Sequence, residues 1–319
     1  MKVLVLGGTG FAGRAVAEEA ARRGDEVTLF NRGRRGDASL VGDRLAPAGL
    51  SALESGEWDA VVDTWSAEGE AVRRTAELLR GRAGHYTYVS SRSVYRWLAP
   101  GPLTEAAPLV DQSEQGYAGD KLRGEIGAAA FGGPVLLARA GLILGPYEDV
   151  GRLPWWLNRI ARGGPALAPG PRELPLQLID VRDLAAFVLD AAARRLDGPF
   201  NVVSEPGHTT MGELLDLANE ATGGNAELRW TDPEVIVKKG VEPWTQLPIW
   251  FPPGPEHEFM NTAGVGKAVG AGLRCRPVRE TVFDTWSWLQ SLGQQAPQRD
   301  DRPRVGLDPA VERELLAEQ

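Results

Sequence analysis

The amino-terminal segment contains the pattern that most restricts the fold of this chain. An apolar run from Val3 to Leu6 leads into the glycine-rich segment GGTGFAG and then into an alanine-rich stretch that stops at Arg23 and Gly24. A second apolar run extends from Val27 to Phe30. This order predicts a strand, a tight turn, a helix and a parallel strand, which together make one βαβ unit.

The spacing of Gly7, Gly10 and Gly13 in this turn is typical of a dinucleotide site. Glycine permits the tight turn, the approach of a pyrophosphate and close packing of helix on strand, and the helix N-terminus attracts phosphates. The pattern is informative because it follows a predicted strand and opens a predicted helix. We therefore predict a bound dinucleotide; the alternative is a glycine turn with a structural role only.

Residues at the end of the second strand indicate which dinucleotide is bound. An acidic residue there would bind the ribose hydroxyls and repel a 2′-phosphate. This chain has Asn31 and Arg32, followed by Arg34 and Arg35, and guanidinium groups suit phosphate. We expect NADP rather than NAD; a solvated basic loop is the alternative.

Three further apolar runs extend the same pattern. They lie at Asp59 to Ser66, His85 to Tyr95 and Pro134 to Pro146, with helical stretches between them. Continuous apolar runs suit parallel strands that are buried on both faces, with ligands at their C-terminal ends. The predicted fold class is α/β, a Rossmann-type doubly wound parallel sheet.

Tyr117 and Lys121 lie four residues apart in a segment with helical character, GYAGDKLRGE. Residues at this spacing share a helix face, and a cation beside a phenol favours the phenolate, which makes it a usable acid or base. Such pairs also occur on ordinary helix surfaces. Ser90 and Ser91, at the predicted end of an earlier strand, favour the chemical interpretation because a hydroxyl there can hold a substrate oxygen.

These segments together resemble the extended short-chain dehydrogenase/reductase superfamily, in the branch described as NAD-dependent epimerase/dehydratase. The resemblance rests on GGTGFAG (Gly7 to Gly13), VSSRSVY (Val89 to Tyr95) and YAGDK (Tyr117 to Lys121), in the family's order, and continues more weakly to about residue 290. It implies that Tyr117 is the acid/base and that Lys121 holds the nicotinamide ribose. It also implies that Ser91 hydrogen-bonds the reacting oxygen.

The resemblance also places Asp43 near the adenine and Thr64 to Ser66 beside the cofactor. The full set of predicted cofactor-binding residues is Gly7, Thr9, Gly10, Phe11, Ala12, Gly13, Asn31, Arg32, Arg34, Arg35, Asp43, Arg44, Thr64, Trp65, Ser66, Ser90, Ala140 and Gly141. Family members often dimerise, so a homodimer is an open expectation.

After Pro146 the chain becomes rich in proline and glycine, which indicates loops and short helices. By the resemblance, residues 1–147 form the dinucleotide-binding domain, to which 176–203 return, whereas 148–175 and 204–290 form mainly a small substrate lobe. Residues 291–319 are predicted to form a polar linker and a helix that begins at Asp308 and Pro309. We expect that helix to dock on the body or on a partner, although its charges alone indicate a solvated face.

Substrate contacts are the least specific predictions. The candidates are Arg152, Trp155, Trp156, Trp244 and Trp250, although the tryptophans serve equally well to pack the lobe. Sugar-nucleotide enzymes of the family usually carry an asparagine where this chain has Leu142, which disfavours that substrate class. The scattered histidines, His85, His208 and His257, indicate no metal site.

Composition excludes several other classes of protein. The formal net charge of -8 argues against a general nucleic-acid binder. The single cysteine, Cys275, fits a reducing compartment, and no segment reads as a signal peptide or membrane span, so we expect a cytoplasmic protein.

Three functions remain open from the sequence. The first is an NADP-preferring oxidoreductase that transfers hydride to or from a carbonyl or hydroxyl carbon of a small molecule, in specialised metabolism for example. The second is a sugar-nucleotide epimerase or dehydratase with transient hydride transfer. The third is a non-catalytic NADP-binding redox sensor, a class that commonly lacks the tyrosine and lysine found here.

Overall fold

Strands and helices both occur along most of this protein, whose computed structural model describes residues 1–34, 38–299 and 302–318. The strands are β1 (Lys2–Leu6), β2 (Glu26–Asn31), β3 (Leu40–Val41), β4 (Ala60–Asp63), β5 (Tyr86–Ser91), β6 (Val135–Ala140), β7 (Leu142–Leu144), β8 (Gly164–Pro169), β9 (Pro175–Leu176), β10 (Leu178–Asp180), β11 (Gly198–Val202), β12 (Thr209–Thr210) and β13 (Ala226–Thr231). The helices are α1 (Phe11–Arg22), α2 (Gly69–Leu79), α3 (Tyr117–Ala128), α4 (Arg152–Ala161), α5 (Val181–Ala193), α6 (Met211–Ala221), α7 (Pro233–Lys238), α8 (Pro255–Asn261), α9 (Gly266–Gly270), α10 (Val278–Ser291) and α11 (Pro309–Ala317).

The main sheet is parallel throughout, with the strand order β3-β2-β1-β4-β5-β6-β11 in the described part of the chain. The order reverses direction between β1 and β4. Because crossovers in parallel sheets are right-handed, such a reversal places the helices of the two halves on opposite faces, and it opens a crevice at the carboxyl ends of β1 and β4. The predicted α/β, doubly wound fold class is confirmed.

Three predicted strands are shorter than the apolar runs that indicated them. β4 ends at Asp63 rather than Ser66, and β5 ends at Ser91, where the chain enters a 3-10 turn over Arg92–Val94. The Oγ atom of Ser91 caps this turn by accepting a bond from the backbone N–H of Ser93 at 3.1 Å. The third run is two strands, β6 and β7, which separate at Gly141. The carboxyl edge of the sheet is therefore lined by turns rather than by continuing strands.

One of two compact units contains the main sheet. It comprises residues 1–141, 181–203 and 264–274. Its core lies beneath β1, β4 and β5, where Leu4, Val61 and Tyr86 are completely buried, and the helices α2 and α3 pack on each other. The predicted catalytic and cofactor-binding residues belong to this unit, except Arg35, which lies outside the described residues. The five predicted substrate-contact residues belong to the other unit.

The other unit comprises residues 142–180, 204–263 and 275–319. Its strands pair as β7 with β10, β8 with β13 and β9 with β12. Trp156 and Trp250 are fully buried at its centre. Each indole N–H donates to a backbone carbonyl, that of Pro248 at 2.8 Å and that of Gly170 at 3.0 Å respectively.

The C-terminal helix α11 docks on its own unit. Asp308 caps it by accepting from the N–H of Ala310 at 2.7 Å, as the Asp-Pro start predicts. Glu312 is buried and pairs with Arg159 at 2.7 Å, and Leu315 is fully buried. Of the two predicted docking partners, the body of the chain is therefore the one observed.

Glu148 is a completely buried carboxylate at the start of α4. Its two oxygens accept hydrogen bonds from the backbone N–H groups of Arg152 at 2.7 Å and Leu153 at 3.2 Å. These bonds satisfy N–H groups of the first turn of α4, which have no partner inside the helix. Burial nevertheless raises the pKa of Glu148 to about 7, against the opposing effects of Arg152 and these bonds.

We predict that Glu148 makes the protein less stable as the pH rises from about 4.5 towards 7. The pKa of Glu148 is higher in the folded protein than in the unfolded chain, so the folded protein holds the extra proton in this range and loses this advantage above it. Thermal unfolding from pH 4 to 8 should show a smaller loss of Tm for Glu148→Gln than for the wild type. The exposed Glu57→Gln should follow the wild-type curve; identical slopes for all three proteins would contradict the prediction.

Candidate active site

The turn between β1 and α1 has the geometry of a phosphate cradle. Gly7 has φ of +93°, and its added Cβ would lie 2.5 Å from Thr64 Oγ1. A Cβ on Gly13 would lie 2.3 Å from the carbonyl oxygen of Gly7. A Cβ on Gly10 would meet nothing nearer than 3.8 Å. Gly7 and Gly13 are therefore required by the turn itself, whereas Gly10 keeps open the space in front of the helix.

The first turn of α1 faces this space with backbone N–H groups that have no partner inside the helix. Thr9, Phe11 and Ala12 are half-buried around it. No acidic side chain lies in the first turn of α1. The partial positive charge of the helix N-terminus is therefore available to an anion. These residues fit the pyrophosphate of a dinucleotide.

The end of β2 carries the predicted specificity residues. Asn31 Oδ1 accepts the backbone N–H of Gly33 at 2.7 Å, and its Nδ2 is buried with no hydrogen-bond partner among the described residues. Arg32 and Arg34 are exposed. Arg35 lies outside the described residues. Two guanidinium groups and one buried amide donor thus lie at the strand end where ribose recognition takes place in such folds.

Asp43 and Arg44 differ sharply in placement. Asp43 is half-buried, and its Oδ1 accepts the N–H of Leu45 at 3.0 Å. Arg44 is buried, and its guanidinium forms two bonds with the Asp63 carboxylate, at 2.6 and 2.7 Å, and one with Thr75 Oγ1 at 3.0 Å. The predicted cofactor contact of Arg44 does not fit this geometry, because its donors are used inside the protein.

The turn after β4 is tied to the glycine turn. Thr64 Oγ1 donates to the carbonyl oxygen of Leu6 at 2.9 Å. Trp65 and Ser66 are half-buried beyond it, and the indole of Trp65 donates to the carbonyl oxygen of Glu68 at 3.1 Å. The turn after β4 therefore lies beside the cradle, as the resemblance implies.

Tyr117 is at the beginning of α3, and Lys121 follows it by one turn of the helix. Its ammonium donates to the carbonyl oxygens of Trp65 and Val89, both at 2.7 Å, and lies 4.8 Å from the ring centre of Tyr88. Tyr117 is the first residue of the helix and is half-buried. Residues four apart share a face of a helix, and Lys121 reaches the backbone of β5 and of the turn after β4. The held ammonium thus lies at the ends of two strands, one helical turn after the phenol of Tyr117.

The two serines at the end of β5 have different surroundings. Ser91 is half-buried at the sheet edge, where its hydroxyl donates to Ser93 Oγ at 3.1 Å. Ser90 points inward, and its hydroxyl donates to Glu125 Oε1 at 2.6 Å. Ser91 therefore retains the position expected of a substrate-binding hydroxyl, whereas the hydroxyl of Ser90 is committed to the interior.

Ala140 and Gly141 end the neighbouring strand β6. Ala140 is buried, and the N–H of Gly141 donates to the carbonyl oxygen of Val202 at 3.2 Å. A Cβ on Gly141 would lie 2.5 Å from Val203 Cγ2, so the packing there requires glycine. Both residues lie at the carboxyl end of β6, where the predicted cofactor contact stays a prediction.

Two buried ion pairs beside this site were missed by the sequence reasoning. Arg44 binds Asp63, and Arg139 binds Glu125 through Nε at 2.9 Å and Nη2 at 2.8 Å. A signal for the second pair exists in the sequence: Glu125 continues the spacing from Tyr117 to Lys121 by one more turn, and Arg139 interrupts an apolar strand. Arg92, beside Ser91, is also buried, and burial lowers its pKa to about 10, so it stays charged near neutrality.

The proposed substrate tryptophans lie in the second unit as packing residues. Trp156 and Trp250 have no exposed surface. Trp244 has the guanidinium of Arg152 at 5.1 Å from its ring centre and is stacked with Phe251 at 5.3 Å. Trp155 packs edge-on against Trp156 at 4.6 Å. Arg152, Trp155 and Trp244 are half-buried, so for these three the substrate contact stays a prediction.

Membrane-spanning helices and clusters of metal ligands would indicate other kinds of site. Within residues 1–34, 38–299 and 302–318, no helix combines the length and apolar character needed to cross a bilayer. The same residues contain no cluster of three or more histidine, cysteine or acidic side chains placed to hold a metal ion. Burial lowers the pKa of both His85 and His257, so these two histidines are neutral near pH 7.

A family model described as the NAD dependent epimerase/dehydratase family matches residues 45–202. The chain carries a domain of this family. The match includes Ser91, Tyr117 and Lys121. The resemblance to the extended short-chain dehydrogenase/reductase superfamily is therefore confirmed, and with it the class of nicotinamide-dependent enzymes.

Solved structures share the fold at low sequence identity. UDP-glucose 4-epimerase from Thermus thermophilus, in complex with NAD, has a TM-score of 0.65 and 20% identity, covering 91% of this chain and 99% of that one. UDP-N-acetylglucosamine 4-epimerase from Bacillus cereus has a TM-score of 0.68 and 17% identity, covering 91% and 99%. UDP-N-acetylglucosamine 4-epimerase from Methanobrevibacter ruminantium, in complex with UDP-N-acetylmuramic acid, has a TM-score of 0.70 and 17% identity, covering 91% and 98%. None of the curated protein sequences matches this chain.

The two glycines of the cradle should respond differently to substitution by alanine. We expect Gly10→Ala to change the free energy of unfolding by less than about 1 kcal/mol and to weaken nicotinamide-dinucleotide binding by about tenfold or more, because its Cβ fills the space in front of the helix. Gly13→Ala should cost roughly 2 kcal/mol or more, since its Cβ overlaps the carbonyl group of Gly7. Denaturant unfolding and fluorescence titration measure the two effects. Equal loss of stability in both variants would contradict the assignment.

Proposed function

We propose that this protein is an NADP(H)-dependent oxidoreductase in which Tyr117 is the acid/base. The observation that carries the proposal is the placement of α3: Lys121 is fixed to the carbonyl group of Val89, two residues before Ser91 in β5, and Tyr117 lies one turn earlier in the helix. These contacts support a site in which phenol, ammonium and hydroxyl act together at the sheet edge near the cradle of Gly7, Gly10 and Gly13.

Each of these groups has a distinct chemical task. A nicotinamide bound at this edge supplies the hydride donor or acceptor. Tyr117 moves a proton to or from the oxygen of the reacting carbonyl or hydroxyl group, and Ser91 donates a hydrogen bond to the same oxygen once its hydroxyl rotates away from Ser93 Oγ. Lys121 favours the phenolate through its charge and binds the nicotinamide ribose.

The preference for NADP rests on the end of β2. Asn31 takes the place of an acidic residue that would repel a 2′-phosphate, and its buried Nδ2 is a donor without a partner among the described residues. Arg32 and Arg34 are exposed beside it and suit a phosphate. Because the family is described as NAD-dependent, the preference is a proposal for this chain and requires a direct comparison of the two cofactors.

We predict that Arg32→Ala weakens NADPH binding by about tenfold and leaves NADH binding within about twofold, since only the former loses a charge-assisted bond. Calorimetric or fluorescence titration measures both affinities. Arg22→Ala, an exposed arginine at the other end of α1, is the matched control and should change neither. Tighter binding of NADH than of NADPH by the wild type would refute the preference.

An epimerase or dehydratase with transient hydride transfer is the second candidate function. The folds of UDP-sugar 4-epimerases support it, because they superpose over most of this chain. Leu142 disfavours it: this residue occupies the position of an expected asparagine, and it is buried in an apolar core. The two functions differ in net turnover, because an epimerase returns its nicotinamide unchanged and a reductase consumes NADPH.

The catalytic assignment is tested with Tyr117→Phe. A screen of carbonyl compounds for NADPH consumption, and of UDP-glucose and UDP-N-acetylglucosamine for conversion without net consumption, identifies the reaction. On the substrate found, we expect kcat to fall by about 10²–10⁴-fold while the Kd of NADPH stays within about twofold. Tyr147→Phe, in the other unit, keeps the ring that packs edge-on against Trp288 at 5.8 Å and controls for the loss of a tyrosine hydroxyl. Turnover of Tyr117→Phe at the wild-type rate would exclude Tyr117 as the acid/base.

A further inference from the structure

Tyr117 occupies the position of α3 that the helix itself supports least. As the first helical residue, its own N–H and those of the next two residues have no partner inside the helix. The residue before it, Gly116, has no side chain that could cap them, whereas Thr210 and Asp232 cap α6 and α7 by accepting backbone N–H groups at 3.1 and 2.8 Å. Helix ends fray. A catalytic group at this position therefore depends on support from another part of the chain.

The segment that leads into α3 is not held by burial. Residues 111–116, here called the entering segment, have the sequence DQSEQG, which contains no large apolar side chain. Each of these residues is exposed. Segments with few buried apolar contacts open at low cost in free energy. Because the first turn of α3 continues directly from the entering segment, its movement would be passed to Tyr117.

Arg123, in the second turn of α3, reaches back to the entering segment. Its Nη1 donates to the carbonyl oxygens of Gln112 and Glu114, both at 2.8 Å. Its Nη2 donates to Oδ1 of Asp120, in the first turn, at 2.5 Å. A guanidinium presents its donors in a rigid plane, so these acceptors are held in a defined arrangement. The three bonds, here called the Arg123 clamp, connect the entering segment to the helix that follows it.

A glycine lets the entering segment lie directly on the first turn of α3. Gly119 is buried, and a Cβ there would lie 1.9 Å from the carbonyl oxygen of Glu114. The same Cβ would lie 2.9 Å from Nη1 of Arg123. The carbonyl group of Glu114 is therefore held from two sides, by the guanidinium of Arg123 and by contact with Gly119.

Arg123 belongs to a part of α3 that is fixed independently of the clamp. A Cβ on Gly69, the first residue of α2, would lie 2.6 Å from the carbonyl group of Arg123, so the two helices are in close contact there. Two residues before Arg123, the ammonium of Lys121 is bonded to the carbonyl oxygens of Val89 and Trp65. The clamp thus runs from the fixed part of the helix to the turn that precedes it.

We propose that Arg123 is a positioning residue for Tyr117: the Arg123 clamp keeps the first turn of α3 formed and thereby keeps the phenol in place for proton transfer. The inference rests on the proposed function, in which Tyr117 is the acid/base. It gives a role to a residue outside the predicted catalytic and cofactor-binding sets. Misplacing a reacting group by about 1 Å costs on the order of 100-fold in rate, so slight fraying of this turn is sufficient for a large effect.

The effect of the clamp on the first turn is measurable without a substrate. The N–H of Asp120 donates to the carbonyl oxygen of Gly116 at 2.9 Å, and the N–H of Lys121 bonds to Tyr117 by the regular helix pattern. Both bonds break when the first turn frays. In full-length Arg123→Met, amide hydrogen exchange resolved by residue should be about tenfold faster or more at these two N–H groups.

Two comparisons establish that the effect is local. The last four N–H groups of α3 bond to carbonyl groups from Lys121 onwards, so their exchange should not change in Arg123→Met. Arg73→Met is the matched control, because Arg73 is an exposed arginine of α2 whose two ion pairs lie within its own helix. It should change none of these rates. Unchanged exchange at the first turn in folded Arg123→Met, or an equal increase along all of α3, would overturn the proposal.

The catalytic consequence is measured on the substrate identified by the screen described above. In Arg123→Met, kcat should fall by about tenfold or more, while the Kd of NADPH stays within about twofold of the wild-type value. In a Tyr117→Phe background, Arg123→Met should cause no further loss, because it acts through the phenol. A general structural defect would instead lower kcat by the same factor in both backgrounds, and that result would contradict the proposal.

A second variant loosens the same contact and leaves the arginine in place. The Cβ of Gly119→Ala displaces the carbonyl group of Glu114, so this variant should show the same faster exchange and the same loss of kcat. Circular dichroism and thermal unfolding establish that each variant is folded. If Arg123→Met does not fold, Gly119→Ala and Arg123→Lys decide, since an ammonium lacks the planar donors of the clamp. Wild-type exchange and kcat in both would overturn the proposal.

Failure of this inference differs from failure of the proposed function. Turnover of Tyr117→Phe at the wild-type rate would refute the acid/base role, and with it any positioning of Tyr117 for catalysis. Loss of turnover in Tyr117→Phe together with wild-type kcat in folded Arg123→Met would leave the proposed function intact and refute only the role of Arg123.

Discussion

The ammonium of Lys121 is the point on which the site depends. Its two bonds to the carbonyl oxygens of Val89 and Trp65 connect α3 to the ends of two neighbouring strands. Burying an ammonium costs roughly several kcal/mol of lost hydration, which only well-placed hydrogen-bond acceptors offset. The position of α3 along the sheet is therefore restricted, and Tyr117, one turn earlier, is placed with it.

This restriction explains why backbone groups, rather than side chains, hold the site together. The glycine turn is held by the carbonyl group of Gly7, the turn after β4 by the carbonyl group of Leu6, and Lys121 by two more carbonyl groups. These carbonyl groups lie near the carboxyl ends of parallel strands or in the turns that follow them. The fold itself thus supplies the acceptors that the lysine uses.

How much was predictable from the sequence depends on the range of the interaction. The glycine turn, the parallel strands and the Asp308 cap were predictable because each is decided by neighbouring residues. The pairing of Arg44 with Asp63 was not, because it joins residues 19 positions apart whose meeting depends on the packing of a loop under α2. The pair of Arg139 and Glu125 left a signal in the sequence, because Arg139 interrupts an apolar strand, but the signal does not name its partner. Because Arg44 follows Asp43 in the sequence, we expected Arg44 to contact the cofactor.

The tryptophans show a second limit of sequence reasoning. Trp244 and Trp156 occur in segments of identical character, rich in proline and glycine, yet the first is half-buried between Arg152 and Phe251 and the second is completely enclosed. An aromatic residue contributes the same apolar area to a core as to a ligand site, so its identity does not distinguish the two. A cofactor that is recognised through backbone and glycine geometry leaves a pattern in the sequence. A substrate recognised by side chains from separate insertions leaves none, which is why the chemistry of this site is better defined than the molecule on which it acts.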